Sequence, residues 1–252
     1  MFCARKRSII GAAAIFICAG CTPVATPTPT PSPQSLGVTQ RYLGWASSTL
    51  SEFQADQEGA NFILEVYPVE AGLEAVEAGE IELFMAATEP GDQLFATPLL
   101  QDGIAVIHHP DITIRGLSVD DLRRIFSGSV QSWREMGGEE LPILPVIPPP
   151  GDDLRAVFEA LVLGTSNYSS LARLQATTEQ TIAFVQDEPG TIAFIPVSQL
   201  EPGVDAFRIE SRSPSTDGVA AGRYPLTYVV SAVARTEPEG PLRAWLGWVQ
   251  SR

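Results

Sequence analysis

The chain has 252 residues, 44% hydrophobic and 18% charged, a composition that supports one large folded domain or two modest lobes. Its formal net charge is −14, from 30 acidic and 16 basic residues, which excludes a basic surface for neutralising nucleic-acid phosphates. Arg5, Lys6 and Arg7 stand near the N-terminus, so the rest of the chain sets 13 basic residues against all 30 acidic ones. The three cysteines, Cys3, Cys18 and Cys21, lie within the first 21 residues, so the body has no disulfide framework and no cysteine-based metal site.

Arg5-Lys6-Arg7 leads into an apolar run, SIIGAAAIFICAG (8–20), that is short for a bilayer span. Together they read as an export signal over residues 1–20. The run ends in CAGC, which resembles a bacterial lipobox, with Ala19 and Gly20 before Cys21 and with Cys18 where leucine is usual. This resemblance makes Cys21 the acylated first residue of the mature protein. A plain cleaved signal and an uncleaved anchor are the alternatives. Residues 21–35 are rich in Thr and Pro, which favours extended polyproline II and cannot pack a core; they read as a tether to the membrane.

The folded body is expected from about Leu36. Leu43, Ala46, Leu50 and Phe53 recur at helical spacing, and Gly59 stops that helix. A strand is predicted over 61–68, a helix over 71–80, and a buried strand over 81–89. A further strand at 102–110 ends at Pro110, and Ser118 caps a helix whose first turn is acidic. The pattern continues with a strand at 141–147, a helix over 152–164, helix then turn over 179–190, and strands at 191–197 and 224–235. A closing helix over 241–250 has Pro241 in its first turn. Strands alternate with helices through short connections, the signature of an α/β protein with mostly parallel sheets.

One segment is specific beyond this pattern. LSVDDLRRIFSGSVQSWREMGG (117–138) carries Leu117, Leu122, Ile125, Phe126, Ser127, Gly128, Trp133, Gly137 and Gly138 at the spacing of the phosphate-type solute-binding proteins of ABC transporters, the PstS-like family, which it closely resembles. The stretches 72–88, 102–110, 188–200 and 222–235 resemble further family segments in the same order, so the likeness covers about residues 40–252. It implies a type II periplasmic-binding-protein fold: two α/β lobes joined by a two-crossing hinge, with a small solute in the cleft between them. Lobe one would be residues 36–104 plus 222–252, and lobe two residues 105–221, with crossings near 102–108 and 211–228. The family's opening strand and hydroxyl-bearing loop look missing, because the tether runs almost directly into the first helix.

The resemblance also gives the stretch IPPPGDDLRAVFEAL (147–161) an address. The family's Gly-Ser-Gly-Thr-Arg phosphate loop aligns here with Gly151, Asp152, Asp153, Leu154 and Arg155. Two hydroxyl donors are gone and two carboxylates have arrived, and a carboxylate buried beside phosphate costs several kcal/mol if unpaired. Gly151, Asp152, Asp153 and Arg155 are therefore candidate ligand-binding residues of altered preference, with Thr88, and Glu89 beside it, from the loop after the 81–89 strand. A cationic or hydroxylated solute is one reading of the aspartates; simple helix capping is the other. Arg155 is expected to pair with one of them.

Other candidates carry less. His108 and His109, near Asp111, point to opposite faces of a strand and are poorly placed to chelate one ion. Ser47, Ser48 and Thr49 sit within a helix, and Trp245 and Trp248 read as core. No nucleophile elbow, Walker loop, metal-ligand spacing or cofactor motif occurs, and adjacent carboxylates do not straddle a substrate, so an exported hydrolase is the least supported reading. The favoured expectation is an extracytoplasmic solute-binding lipoprotein, not an enzyme. Its partners would be a small anion or other solute, an ABC permease and, through the lipid, the membrane. The alternative is a non-transport envelope sensor or adaptor with a degenerate cleft.

Overall fold

The structure is a computed structural model that describes residues 33–252 apart from 58, 59, 88–90 and 92. The expected signal, Cys21, nearly all of the tether, Thr88 and Glu89 lie outside the described residues. Those described belong to a single unit, Pro31–Arg252.

The chain begins with β1 (Gln34–Val38), a short 3-10 turn (Gln40–Tyr42) and α1 (Leu43–Asp56), followed by β2 (Phe62–Val66), α2 (Val69–Ala78) and β3 (Leu83–Ala86). The long β4 (Phe95–His108) leads to β5 (Gly116–Leu117), α3 (Val119–Phe126), β6 (Leu144–Ile147) and α4 (Asp153–Phe158), which runs into a π-helical turn (Glu159–Leu163). Next come β7 (Arg173–Leu174), α5 (Thr178–Asp187), β8 (Thr191–Pro196), β9 (Arg208–Ile209), α6 (Thr216–Ala220), β10 (Thr227–Ala234) and α7 (Gly240–Gln250).

Eight strands form one curled sheet in the order β2, β1, β3, β10, β4, β8, β6, β7, and β5 pairs with β9 separately. The outer pairings, β2 with β1 with β3 and β8 with β6 with β7, are parallel, as expected of α/β units. The three central pairings, β3–β10, β10–β4 and β4–β8, are antiparallel, so the sheet is mixed rather than mostly parallel. The cause is β4 itself. It pairs with β10 from Phe95 to Gly103 and with β8 from Ile104 to His108, so one strand serves both halves of the sheet. At the change of partner the Ile104 N–H donates to the Leu226 carbonyl (2.8 Å) and the Tyr224 hydroxyl to the Ile104 carbonyl (2.7 Å), tying the returning chain to the same crossing.

Three sequence expectations need correction. The opening strand is present: β1 begins at Gln34, inside the stretch assigned to the tether, and pairs in parallel with both β2 and β3. β4 starts at Phe95, well before residue 102, because its first half, only partly buried and interrupted by Pro98, is ordered by pairing with β10. The helix expected over 152–164 loses α-geometry after Phe158, where the Gly164 N–H reaches the Glu159 carbonyl (2.8 Å) across five residues.

Strands covered on both faces read as continuous apolar runs. All six residues of β8 are buried, as are residues 102–108 of β4. Ala46, Leu50 and Phe53 of α1 pack against Leu242, Trp245 and Leu246 of α7 and the sheet, while Trp248 is half-buried with its ring 5.9 Å from Phe53. The segment that carried the family likeness is built of core residues and helix caps. Ser118 and Asp121 form a capping box, Leu122, Ile125 and Phe126 are fully buried, and Trp133 is fully buried with Nε1–H donating to the Gly190 carbonyl (2.9 Å).

Candidate functional site

In open α/β sheets, ligands bind outside the carboxyl ends of strands, where successive crossovers leave to opposite sides. Here β1 has β2 on one side and β3 on the other, so that switch lies beside β1. Thr39 follows the carboxyl end of β1 and Ala87 that of β3. From the other half of the sheet, β6 ends at Ile147 and delivers the turn Pro148-Pro149-Pro150-Gly151 and the start of α4 to the same crevice. Gly151 has φ +86°, a left-handed value that favours glycine, and a Cβ there would stand 3.1 Å from Pro68 Cβ. The Val69 N–H donates to the Gly151 carbonyl (3.4 Å), so the walls of the crevice touch at this point.

The two aspartates do different things. Asp152 is the N-cap of α4: its Oδ1 accepts from the N–H groups of Leu154 (2.9 Å) and Arg155 (3.3 Å). Both its oxygens also accept from one nitrogen of Arg41, at 2.9 and 2.7 Å. Asp153 has no solvent exposure at all. Its Oδ2 accepts from the Thr39 hydroxyl (3.0 Å) and the Ala87 N–H (3.4 Å), and its Oδ1 from the Leu154 N–H (3.1 Å). Arg41 Nε lies 3.4 Å from Oδ1, outside hydrogen-bonding geometry, and is buried without another partner.

One guanidinium therefore faces two carboxylates, with side-chain exposures of 9% for Arg41 and 13% for Asp152. Burial works against the charge on Arg41, but the charge and hydrogen bonds of Asp152, with the charge of Asp153, outweigh it and raise its pKa. The Asp153 carboxyl is pushed above its ordinary range, first by burial and then by the charge of Asp152; Arg41, Thr39 and Ala87 oppose that shift without cancelling it. Behind this cluster the Tyr42 and Tyr228 hydroxyls meet at 3.4 Å, and burial raises both pKa values.

Arg155 is not the partner of either aspartate side chain. Its Nε pairs with Glu159 one turn on (2.9 Å), its Nη1 donates to the Pro148 carbonyl (3.2 Å), and its guanidinium lies 4.7 Å from the Tyr168 ring centre. It buttresses the proline turn instead. The structure thus brings Gly151, Asp152 and Asp153 to the crevice and turns Arg155 away. Arg41 and Thr39 are the residues that sequence reasoning missed. They lie 111 and 114 residues from their partners, and the sole sequence signal was two adjacent carboxylates in want of a cation.

Beside the cluster opens a cavity of about 570 Å³ lined by Ala87, Val157, Leu161, Tyr228 and Val229 among others, none of them charged. Thr49 donates back to the Ala46 carbonyl within α1. The His108 ring lies tilted against Phe207, centroids 4.2 Å apart, and Nδ1–H donates to the His109 carbonyl (2.9 Å), while His109 Nδ1 accepts from the Asp111 N–H (3.1 Å).

The model of the PBP superfamily domain matches residues 26–252 of this sequence. The chain belongs to the PBP superfamily. Within it, the chain is PstS-like: it is 28% identical over 184 residues to the phosphate-binding protein PstS of Bacillus subtilis, a match that spans 70% of this chain and 60% of that relative. Among solved structures, an ABC-type phosphate transport receptor from Vibrio cholerae has the same fold, with a TM-score of 0.80 at 16% identity, covering 87% of this chain and 94% of the receptor. A putative phosphate ABC transporter substrate-binding protein with bound phosphate from Clostridium perfringens gives 0.74 at 18% identity, covering 86% and 93%. The architecture is accordingly the type II periplasmic-binding fold, as the PstS-like superfamily member implies.

Proposed function

We propose that this chain is an extracytoplasmic solute-binding lipoprotein of an ABC importer, anchored through Cys21, that holds a small solute between its lobes and works by hinge closure rather than by chemistry on the ligand. Residues 36–104 plus 222–252 form one lobe in this reading and 105–221 the other, with ABC permease subunits as the docking partner. The observation that carries it is the convergence of three strand-end loops, at Thr39, Ala87 and Gly151–Asp153, on one crevice of a PstS-like fold. The relatives named for phosphate make an oxyanion the reference ligand, and Asp152 and Asp153 are the alteration this chain makes to it.

A second reading has its own support. The crevice walls already meet through Arg41 and the two aspartates, the arrangement expected of an envelope sensor or adaptor that has given up solute transport. Calorimetric titration of the full chain in detergent, with oxyanions, amino acids, sugars and cations, separates the two. Saturable binding of any member of the panel supports the importer component; silence across it supports the adaptor. For the anchor, Cys21→Ser is expected to move the protein from the membrane fraction to the soluble one.

A further inference from the structure

The donors around Asp153 make up an oxyanion site. A threonine hydroxyl from the end of β1, a backbone N–H from the end of β3 and a guanidinium from the turn before α1 approach one carboxylate that has no contact with water. Helix capping accounts for one contact only, the Leu154 N–H on Oδ1 (3.1 Å); Asp152 occupies the N-cap, and the bonds to Asp153 Oδ2 come from outside α4. Asp153 Oδ2 instead reaches across the crevice to partners 66 and 114 residues away.

We infer that the Asp153 carboxylate is a built-in anion: it fills the oxyanion position of the crevice, holds the two walls together through Thr39, Ala87 and Arg41, and excludes free phosphate. The inference rests on reading this crevice as the solute site. Three observations on the geometry support it. The Thr39 hydroxyl and the Ala87 N–H are spent on a side chain, so an incoming oxyanion finds neither. The cluster of one guanidinium and two carboxylates leaves a net negative charge, which repels a further anion in a buried setting. Arg41 Nε is buried with no hydrogen bond of its own, a donor aimed at the carboxylate position and free to be taken up by a better-placed anion. Whatever solute this cleft accepts must therefore bind in the uncharged cavity beside Ala87, Val157 and Leu161, or displace Asp153 first.

The test removes the internal anion and offers an external one. Asp153→Gly deletes one CH2COO⁻ group and leaves a space bounded by Thr39, Ala87 and Arg41, the size of acetate. Full-length wild type and Asp153→Gly are titrated with acetate and with inorganic phosphate, by calorimetry and by thermal shift. The wild type is expected to bind neither, and the variant to bind at least one of them at least about tenfold more tightly than wild type. If the variant does not fold unaided, refolding it in acetate or phosphate is the readout, and recovery is expected. Wild type that binds phosphate at micromolar affinity, or a variant that neither binds nor is restored by these anions, overturns the inference. Silence of the wild type towards the wider solute panel would instead count against the importer reading and leave this inference standing.

Discussion

Arg41→Ala should be the most damaging single change in the crevice, and most so at neutral pH. The side chain is nine-tenths buried, bonds both oxygens of Asp152 at 2.9 and 2.7 Å, and has Nε 3.4 Å from Asp153. With an effective dielectric of about 20 and charges about 4 Å apart, each attraction is worth about 4 kcal/mol before desolvation is counted. Recovered hydration of the guanidinium offsets part of this, and removing one partner of a buried pair commonly costs about 3–5 kcal/mol. We expect a loss of about 3 kcal/mol by urea denaturation followed through tryptophan fluorescence at neutral pH.

The sign of the pH dependence is a second check on the same variant. The folded-state pKa of Asp153 is already raised, chiefly by burial and then by Asp152, and Arg41 is one of the groups that hold it down. Without Arg41 it rises further. A carboxyl raised in the folded state contributes stability that is present at low pH and lost as pH rises through the folded value. The deficit of Arg41→Ala should therefore shrink on acidification towards the carboxylate range. A loss below about 0.5 kcal/mol, the scale of an exposed ion pair, would refute the claim that Arg41 neutralises buried charge.

Other predictions follow from single features. Gly151→Ala places a Cβ at φ +86° and 3.1 Å from Pro68, so a loss of about 1–3 kcal/mol is expected in the same denaturation assay; an unchanged midpoint would show that the crevice walls do not meet there. Trp133→Phe removes the Nε1–H bond to the Gly190 carbonyl, which keeps the Leu144 N–H (3.1 Å), so a loss of about 0.5–1.5 kcal/mol is expected, and near-neutrality would contradict the structural role given to the family-like segment. Burial, above all, holds the His108 pKa below the ordinary imidazole value. Its stability contribution is present above the unfolded value and lost as pH falls towards the folded one, so wild type should lose more stability than His108→Phe between neutral pH and about pH 5. Parallel pH profiles would contradict it.

Much of the fold was legible because its strands and helices keep their own periods. The apolar runs of β3 and β8 and the Ala46, Leu50, Phe53 face of α1 announce themselves locally. β1 did not. Five residues with Gly37 at their fourth position, directly after a Thr/Pro run, become a strand only because β2 and β3 pair on both sides. β7 and β9 are two residues each and owe their existence to their neighbours. The site divides in the same way. The charged helix start at Asp152 and Asp153 was visible, and so was the conflict it poses for an anion ligand. Its resolution was not, since a guanidinium and a hydroxyl more than 100 residues upstream supply it. Arg155 was the nearest cation in sequence, but its one-turn spacing to Glu159 claims it for the helix surface.

The most direct test of the central claim is a crystal structure of the wild-type protein grown in excess phosphate. The account predicts the Asp153 carboxylate seated between Thr39, Ala87 and Arg41, with no phosphate in the crevice. A phosphate ion bound by Thr39 and Ala87, with Asp153 turned out to solvent, would contradict it.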